Sequence, residues 1–354
     1  MGSKEKILKF GKLKIGGDNP TVVIAEIADS HNGSVQTAKK LIQEAKKAGA
    51  DVAKFQLHLP DVEMVPGSIK MWDGPLYDIL KRNLFLPNTH KVLMDYCEKL
   101  GIEYLCTPFC PAAVDILYKL GVKAFKTGSG ELTNLPMHRK LATISAKTGK
   151  PVIISTGMST WEEIAETVKV HKEEKSNFML MNCTSEYPPN DYSHANLGLI
   201  PKMRKEFNVW VGQSDHTMDN YTAYAAVTLG AKAIEKHFTL SRKQKGPDHF
   251  ISLEPDMLKD LVNGVRKIEV ALGNKKTISK AERAVRAWAF HSVIADRDIS
   301  AGDKITLKDV RPARPGQGIP AKYLDKNYSS KFLSKRARRN LPKNTILQWK
   351  DIKN

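Results

Sequence analysis

Four joints of one layout constrain this chain more than any other feature. Ala48-Gly49-Ala50-Asp51, Leu100-Gly101-Ile102-Glu103, Leu120-Gly121-Val122-Lys123 and Leu229-Gly230-Ala231-Lys232 each close a helix-like segment on a glycine and enter a short apolar run at once. Glycine takes the left-handed conformation that ends a helix, so each joint reads as helix stop and strand start. The rhythm predicts eight strands, at 21–26, 51–56, 102–106, 123–127, 151–155, 178–183, 208–213 and 231–236. Helical periodicity follows them, for example at 35–48, 88–100, 111–120, 160–173 and 256–272. Eight βα units in roughly 250 residues predict a (β/α)8 barrel, an α/β fold. An open doubly wound sheet is the competitor. The strand count and the lack of a G-x-G-x-x-G turn favour the barrel.

The barrel is expected at 21–272, and other segments flank or interrupt it. Residues 1–20 read as an N-terminal hairpin or lid, Ile7–Phe10 and Lys12–Ile15, turning at Gly16-Gly17. The connection 57–87, with Met71-Trp72-Asp73-Gly74-Pro75-Leu76-Tyr77, is long enough for a substrate lid or specificity loop. A basic linker follows at 273–287, then a small β-rich domain at 288–354. That domain contains an internal echo, 298–310 against 340–352, around Arg314-Pro315-Gly316-Gln317-Gly318. It is small for independent stability and is expected to dock on something.

The 354 residues carry a formal charge of +18. Such a charge invites nucleic acid, yet the lysines are spread over predicted helix surfaces. The one dense cluster, Lys335-Arg336-Ala337-Arg338-Arg339, has no recognition-helix, RRM or zinc-finger pattern beside it. No nucleic-acid partner is therefore expected, and attraction of small anionic substrates accounts for the charge equally well. No run of 18 apolar residues is present, so no membrane partner is expected. The first six residues lack a signal-peptide core and a myristoylation pattern. Four cysteines, none in a C-x-x-C pair, fit a reducing cytoplasm.

In a (β/α)8 barrel the chemistry sits where strands end. Here those ends are polar: Glu26; Lys54 and Gln56; Thr107; Lys126, Ser129 and Glu131; Ser155 and Thr156; Asn182, Thr184 and Tyr187; Ser214 and His216; His237. Packing alone does not explain so many. Lys54, Lys126, Ser129, Ser155 and Ser214 form a ring of cations and hydroxyls suited to a phosphate ester. His216 and His237, on neighbouring strands beside Ser214 and Asp215, suit a divalent metal with open positions. Glu26 and Glu131 are the inward carboxylates, one to orient substrate hydroxyls and one to move a proton. Asp248 lies past the last strand, as a ligand contact or a turn residue. Two mechanisms stay open on these residues, Schiff-base aldol chemistry through a lysine and metal-assisted condensation of an enol phosphate with an aldehyde. A non-catalytic interaction protein using the C-terminal domain is the third possibility.

Ile24-Ala25-Glu26-Ile27-Ala28-Asp29-Ser30-His31-Asn32-Gly33 resembles the opening motif of the sialic acid (nonulosonic acid) synthases. The resemblance continues through Lys54-Phe55-Gln56, Thr107-Pro108-Phe109, Lys126-Thr127-Gly128-Ser129-Gly130-Glu131, Ser155-Thr156-Gly157-Met158, Cys183-Thr184-Ser185-Glu186-Tyr187-Pro188, Gly212-Gln213-Ser214-Asp215-His216-Thr217 and Lys236-His237-Phe238-Thr239. Arg314-Pro315-Gly316-Gln317-Gly318-Ile319 is similar to that family's antifreeze-like (SAF) domain. The resemblance implies condensation of phosphoenolpyruvate with an N-acylated mannosamine-type sugar to a nine-carbon α-keto acid, phosphate leaving by C–O cleavage. It implies His216 and His237 as ligands of a divalent metal, Mn²⁺ first, with Mg²⁺ or Co²⁺ as alternatives. Lys54, Lys126, Ser129, Ser155 and Ser214 would hold phosphoenolpyruvate. Glu26, Gln56, Ser185, Tyr187, Asp248 and Arg314 would meet the sugar, and Glu131 would transfer the proton. It also implies a homodimer with exchanged C-terminal domains. Some relatives carry Asn in place of Ser185, which leaves the sugar open among N-acetylmannosamine, a 2,4-diacetamido sugar and a 6-phosphate form.

Overall fold

The computed structural model describes residues 6–71, 74–246 and 248–354. Expectations that touch residues 1–5, Trp72, Asp73 and Pro247 lie outside the described residues. The chain divides into two compact units, Met1–Gly273 and Asn274–Asn354.

The first unit is the barrel. Its strands are β1 (Val22–Glu26), β2 (Val52–Leu57), β3 (Glu103–Pro108), β4 (Phe125–Thr127), β5 (Val152–Ser155), β6 (Phe178–Cys183), β7 (Val211–Asp215) and β8 (Ala233–His237). They form one parallel sheet in the order β3-β2-β1-β8-β7-β6-β5-β4, and β3 and β4 lie against each other at the remaining seam. The helices are α1 (Val35–Ala48), α2 (Pro87–Leu100), α3 (Pro111–Leu120), α4 (Leu135–Thr148), α5 (Trp161–Glu173), α6 (Leu199–Phe207), α7 (Tyr221–Thr228) and α8 (Pro255–Ala271). Gly49, Gly101, Gly121 and Gly230, the four joints, all adopt positive φ. The barrel expected from those joints is the fold. Outward strand residues such as Val23, Ala25 and Phe55 join helix residues such as Leu41, Leu93 and Leu261 in a continuous core.

The lumen is layered. Inward positions at the strand beginnings are apolar: Val22, Ile24, Val52, Leu105, Ala124, Ile153, Met179 and Ala233 pack as one cluster. Two residues on, the inward positions become Glu26, Lys54, Thr107, Lys126, Ser155, Ser214 and Glu235, all buried. Period two carries each strand from a dry floor to a polar upper layer.

The N-terminal hairpin, Leu8–Phe10 paired with Leu13–Ile15, completes that floor. Leu8, Phe10 and Ile15 join the lumen cluster, and Trp210 Nε1 donates to Lys6 O at 3.0 Å. The hairpin is therefore not a lid over the strand ends; its buried apolar face belongs to the opposite mouth. Its turn is at Gly11, at φ +56°, rather than Gly16-Gly17. Gly16 serves instead for close approach, since a Cβ there would lie 2.2 Å from the Trp210 ring.

β7 runs to Asp215, two residues beyond its expected end. Parallel pairing with β6 and β8 supports the backbone through its polar residues. The 57–87 connection includes a short helix at Leu76–Asn83.

In the second unit most of the expected linker is helical, α9 (Lys280–Ala289), begun by a Ser279/Glu282 capping box. The sequence echo is a structural repeat. Arg297 donates to Asp309 Oδ1 at 2.6 Å, and 42 residues on Arg339 donates to Asp351 Oδ1 at 2.8 Å. The two copies meet through reciprocal bonds between Ile299 and Leu341, at 3.0 and 2.8 Å. Val293, Ile305, Phe332 and Leu347 belong to the core between them. Among the described residues no helix is long and apolar enough to cross a membrane.

Candidate active site

Above the polar layer opens a cavity of about 670 Å³. Thirteen of the expected site residues line it: Glu26, Lys54, Gln56, Lys126, Ser129, Glu131, Ser155, Ser185, Tyr187, Ser214, His216, His237 and Asp248. Arg314 belongs to the second unit, its guanidinium 5.8 Å from the Trp288 ring centroid. The strand-end residues Asn182 and Thr184 are spent on structure. Asn182 donates to Ala195 O and Gln213 Oε1, and Thr184 donates to His194 O.

At the bottom of the cavity Lys54 and Lys126 are 4% and 1% exposed. Glu26 and Lys54 are directly paired across β1 and β2, and Lys54 Nζ lies 3.0 Å from Glu26 Oε2. Glu235 Oε1 lies 3.1 Å from Lys54 Nζ and 3.8 Å from Lys126 Nζ, and accepts from Ser214 Oγ at 3.3 Å. Lys126 also donates to Ser155 Oγ and, at 3.0 Å, to Thr127 O. Burial pushes the Glu235 carboxyl up, but Lys126 and Lys54 outweigh it and hold it at about 2. Burial pulls Lys54 down, yet Glu235 and Glu26 hold it above the ordinary ammonium range. Lys126 is pulled down by burial in spite of Glu235. Glu26 is pushed up to about 7, because burial and the Glu235 charge exceed the Lys54 contact.

Glu235 was not expected from the sequence. The signal was available, since it stands two residues before His237 on one strand and so shares its face. Asp29, His58, Glu63 and Phe109 also line the cavity unforeseen. Asp29 follows β1 rather than ending it, and burial pushes it to about 6.

Glu131 sits in a 3-10 turn, Ser129–Glu131, directly after β4. Burial pushes it to about 7 against the pull of Lys126, and its buried Oε2 has no hydrogen-bond partner among the described residues. A Cβ on Gly128 would lie 2.4 Å from that oxygen, so glycine is what admits the carboxylate. Ser129 Oγ accepts from Gly157 N–H at 3.1 Å. The Ser129 and Ser185 hydroxyls both crowd the Gly157 backbone.

His216 and His237 face each other with ring centroids 5.4 Å apart. His216 Nδ1 lies 2.7 Å from Thr184 O, so it donates there and leaves Nε2 with its lone pair. Tyr187 stacks on His216 at 4.1 Å, and Asp248 Oδ2 is 3.8 Å from His237 Nδ1. Buried His237 Nδ1 has no hydrogen-bond partner among the described residues. Burial, then the mutual repulsion of the two rings, lowers His216 to about 4; burial, then Lys54, lowers His237 to about 3. Both rings are thus neutral near pH 7, the state that can ligate a metal. No group of three or more His, Cys, Asp or Glu ligands forms among the described residues. The pair fits a divalent ion only as an open site, completed by substrate or water. Asp215 is turned away from it. Asp215 meets Lys236 at 2.9 Å, and Lys236 also donates to Thr217 O and Asp219 O, each at 2.7 Å. This buried ion pair anchors the loop that carries His216.

Residues 41–277 match the NeuB family, and residues 290–353 match the SAF domain. N,N'-diacetyllegionaminic acid synthase of Campylobacter jejuni subsp. jejuni is 37% identical over 93% of this chain and 99% of its own length. N-acetylneuraminate-9-phosphate synthase of Homo sapiens is 36% identical over 83% of both chains. The crystal structure of N-acetylneuraminic acid synthetase from Leptospira borgpetersenii serovar Hardjo-bovis, in complex with citrate, matches with a TM-score of 0.70. That match is 31% identical and covers 79% of this chain and 95% of the other. The chain therefore belongs to the NeuB family, alongside synthases of sialic, legionaminic and pseudaminic acids, and carries a SAF domain.

Proposed function

We propose that this chain condenses phosphoenolpyruvate with an N-acylated mannosamine-type sugar, giving a nine-carbon α-keto acid and phosphate. The observation that carries this reading is the pair Lys54 and Lys126, bridged by Glu235 at the bottom of the cavity that His216 and His237 also line. With Ser129, Ser155 and Ser214 they supply the charge and donors for an anionic phosphate ester. Met64, Ile69, Leu76 and Leu80 give the same cavity an apolar wall, which suits the methyl of an N-acyl group.

In the reaction, C3 of phosphoenolpyruvate bonds to the aldehyde carbon of the open-chain sugar, and the aldehyde oxygen gains a proton. Water adds at C2 and the C2–O bond breaks, so phosphate leaves with the bridging oxygen and C2 becomes a ketone. Glu131, poised at about 7, can hold or release the proton near neutrality. Glu26, Gln56, Ser185, Tyr187 and Asp248 orient the sugar. His216 and His237 would hold a divalent ion, Mn²⁺ first, which when bound supplies Lewis-acid polarisation of the sugar carbonyl. Enol chemistry requires bulk water to be excluded, apart from the one molecule that adds at C2. The SAF domain of a partner chain would provide that cover, with Arg314 reaching the sugar from it.

A lysine aldolase is the competing reading, because burial pulls Lys126 below the ordinary ammonium range. Phosphate release from phosphoenolpyruvate, measured with a panel of N-acyl sugars, separates the two. Release should require a sugar, stop on chelation and return with Mn²⁺. Full activity in metal-free enzyme, or a borohydride-trapped adduct on Lys54 or Lys126, would overturn the proposal.

A further inference from the structure

A line of contacts leads from the sugar end of the cavity into the 57–87 connection, and its outer members, His58 and Glu63, have no part in the mechanism above. Gln56 Nε2 donates to Glu26 Oε1 at 2.9 Å. Gln56 Oε1 faces His58 Nε2 at 3.0 Å, and His58 Nδ1 faces Glu63 Oε1 at 2.7 Å. Glu63 is fixed in turn, since its other oxygen accepts from Leu59 N–H at 2.9 Å. The His58 ring is stacked on Phe109 with centroids 4.1 Å apart. The side chains of His58 and Glu63 are 10% and 4% exposed.

The polarity of this line is determined at both ends. A carboxylate and an amide oxygen both accept, so both ring nitrogens of His58 face acceptors, and the Nε2 contact is an N–H donated to Gln56 Oε1. While His58 donates to Gln56 Oε1, the amide N–H group can only point at Glu26. Without that donor the amide is free to turn over and present its oxygen to the Glu26 carboxylate, a repulsive contact in a buried place.

We propose that His58, held by Glu63, is a positioning residue for the sugar: it sets the Gln56 amide and, through it, the Glu26 carboxylate. The inference rests on the synthase reading above. It also ties the 57–87 connection to sugar recognition, because Glu63 belongs to that connection.

Two near-isosteric variants divide the ring between them. Asn at position 58 places an amide nitrogen near Nδ1, keeping the contact with Glu63 and losing the donor to Gln56. Gln places its nitrogen near Nε2 and does the reverse. His58→Asn should raise the sugar KM about 10- to 100-fold and leave that for phosphoenolpyruvate unchanged. His58→Gln should stay near wild type. Glu63→Gln, which leaves the Nε2 donor to Gln56 in place, should raise the sugar KM far less than His58→Asn. In a Gln56→Ala background His58→Asn should cost nothing further, since the partner it acts through is gone. An impaired Gln variant beside a healthy Asn variant, equal losses for both substrates, or additive losses in the double variant would overturn the inference. Wild-type enzyme inert toward phosphoenolpyruvate with every N-acyl sugar overturns the synthase reading and this inference together. Active wild type with an unmoved sugar KM in His58→Asn overturns this inference alone.

Discussion

The Lys54 ammonium on β2 reaches past β1 to Glu235 on β8, 3.1 Å away, and Lys126 approaches the same oxygen from the far side of the lumen at 3.8 Å. One carboxylate thus serves as counter-ion to both cations that an anionic substrate would meet.

Removing that counter-ion strips buried Lys126 of its carboxylate, while Lys54 keeps Glu26 at 3.0 Å. Glu235→Gln should lower unfolding free energy by about 3–5 kcal/mol, the usual range for breaking a buried pair from one side. Added phosphoenolpyruvate should recover more stability in the variant than in wild type, because an anion replaces the lost charge. Denaturant unfolding with and without the ligand measures both. Unchanged stability would show that Glu235 is not the counter-ion.

Glu131→Gln should reduce turnover by about 10²–10⁴-fold while leaving phosphoenolpyruvate affinity nearly intact. The amide keeps the shape admitted by Gly128 but cannot exchange the proton. Calorimetry in which affinity falls in proportion to rate would move Glu131 from proton transfer to binding.

Acid should weaken the barrel through histidines remote from the cavity. His138 Nδ1 and His171 Nε2 are 3.0 Å apart between α4 and α5, both fully buried. Burial holds His138 at about 4; burial, then the neighbouring His138, holds His171 at about 3. Folded values below the unfolded value near 6.5 mean the stability they lend is complete above that pH. It is lost progressively as pH falls toward 3. A His138→Asn/His171→Asn variant should therefore show a shallower fall in unfolding free energy between pH 6.5 and 4.5, by up to about 1.4 kcal/mol per histidine per unit. Parallel curves for variant and wild type would contradict the assignment.

Arg314 offers a test of assembly. Arg314→Ala and His237→Ala should each be nearly inactive alone. Coexpressed, they should regain activity if the SAF domain covers the partner's barrel, because one barrel then has both histidines and an intact Arg314. If the domain acts within its own chain, every subunit keeps one defect and the mixture stays inactive. Wild-type activity in Arg314→Ala alone would remove the residue from the site.

The parts of this molecule legible in the sequence are those written in local signals. Gly49, Gly101, Gly121 and Gly230 announced the barrel because only backbone conformation is needed to explain them. The polar strand ends announced the cavity, since nearly every strand contributed one. Glu235 escaped because a strand-interior carboxylate gives no local sign of facing a lumen; His237, two residues on, was the clue. Asp215 read as a neighbour of the histidines, yet the same alternation turns it outward to Lys236. His58 and Glu63 escaped because their role depends on a fold-back of the 57–87 connection that no periodicity encodes. The hairpin was legible as a hairpin or lid, but its docking on the floor of the lumen was not, because strand and turn signals carry no information about where a segment docks.

Among the described residues the hairpin packs under the apolar floor of the lumen, and the cavity opens at the strand ends. Traffic through that doorway must be last in, first out. Whatever settles beside Lys54 and Lys126 must enter before the molecule that settles near the doorway, and must wait for that molecule to depart. On the synthase reading, the enol phosphate loads first, the sugar acid leaves first, and inorganic phosphate is the last passenger. Free phosphate would then compete with phosphoenolpyruvate for the empty chamber.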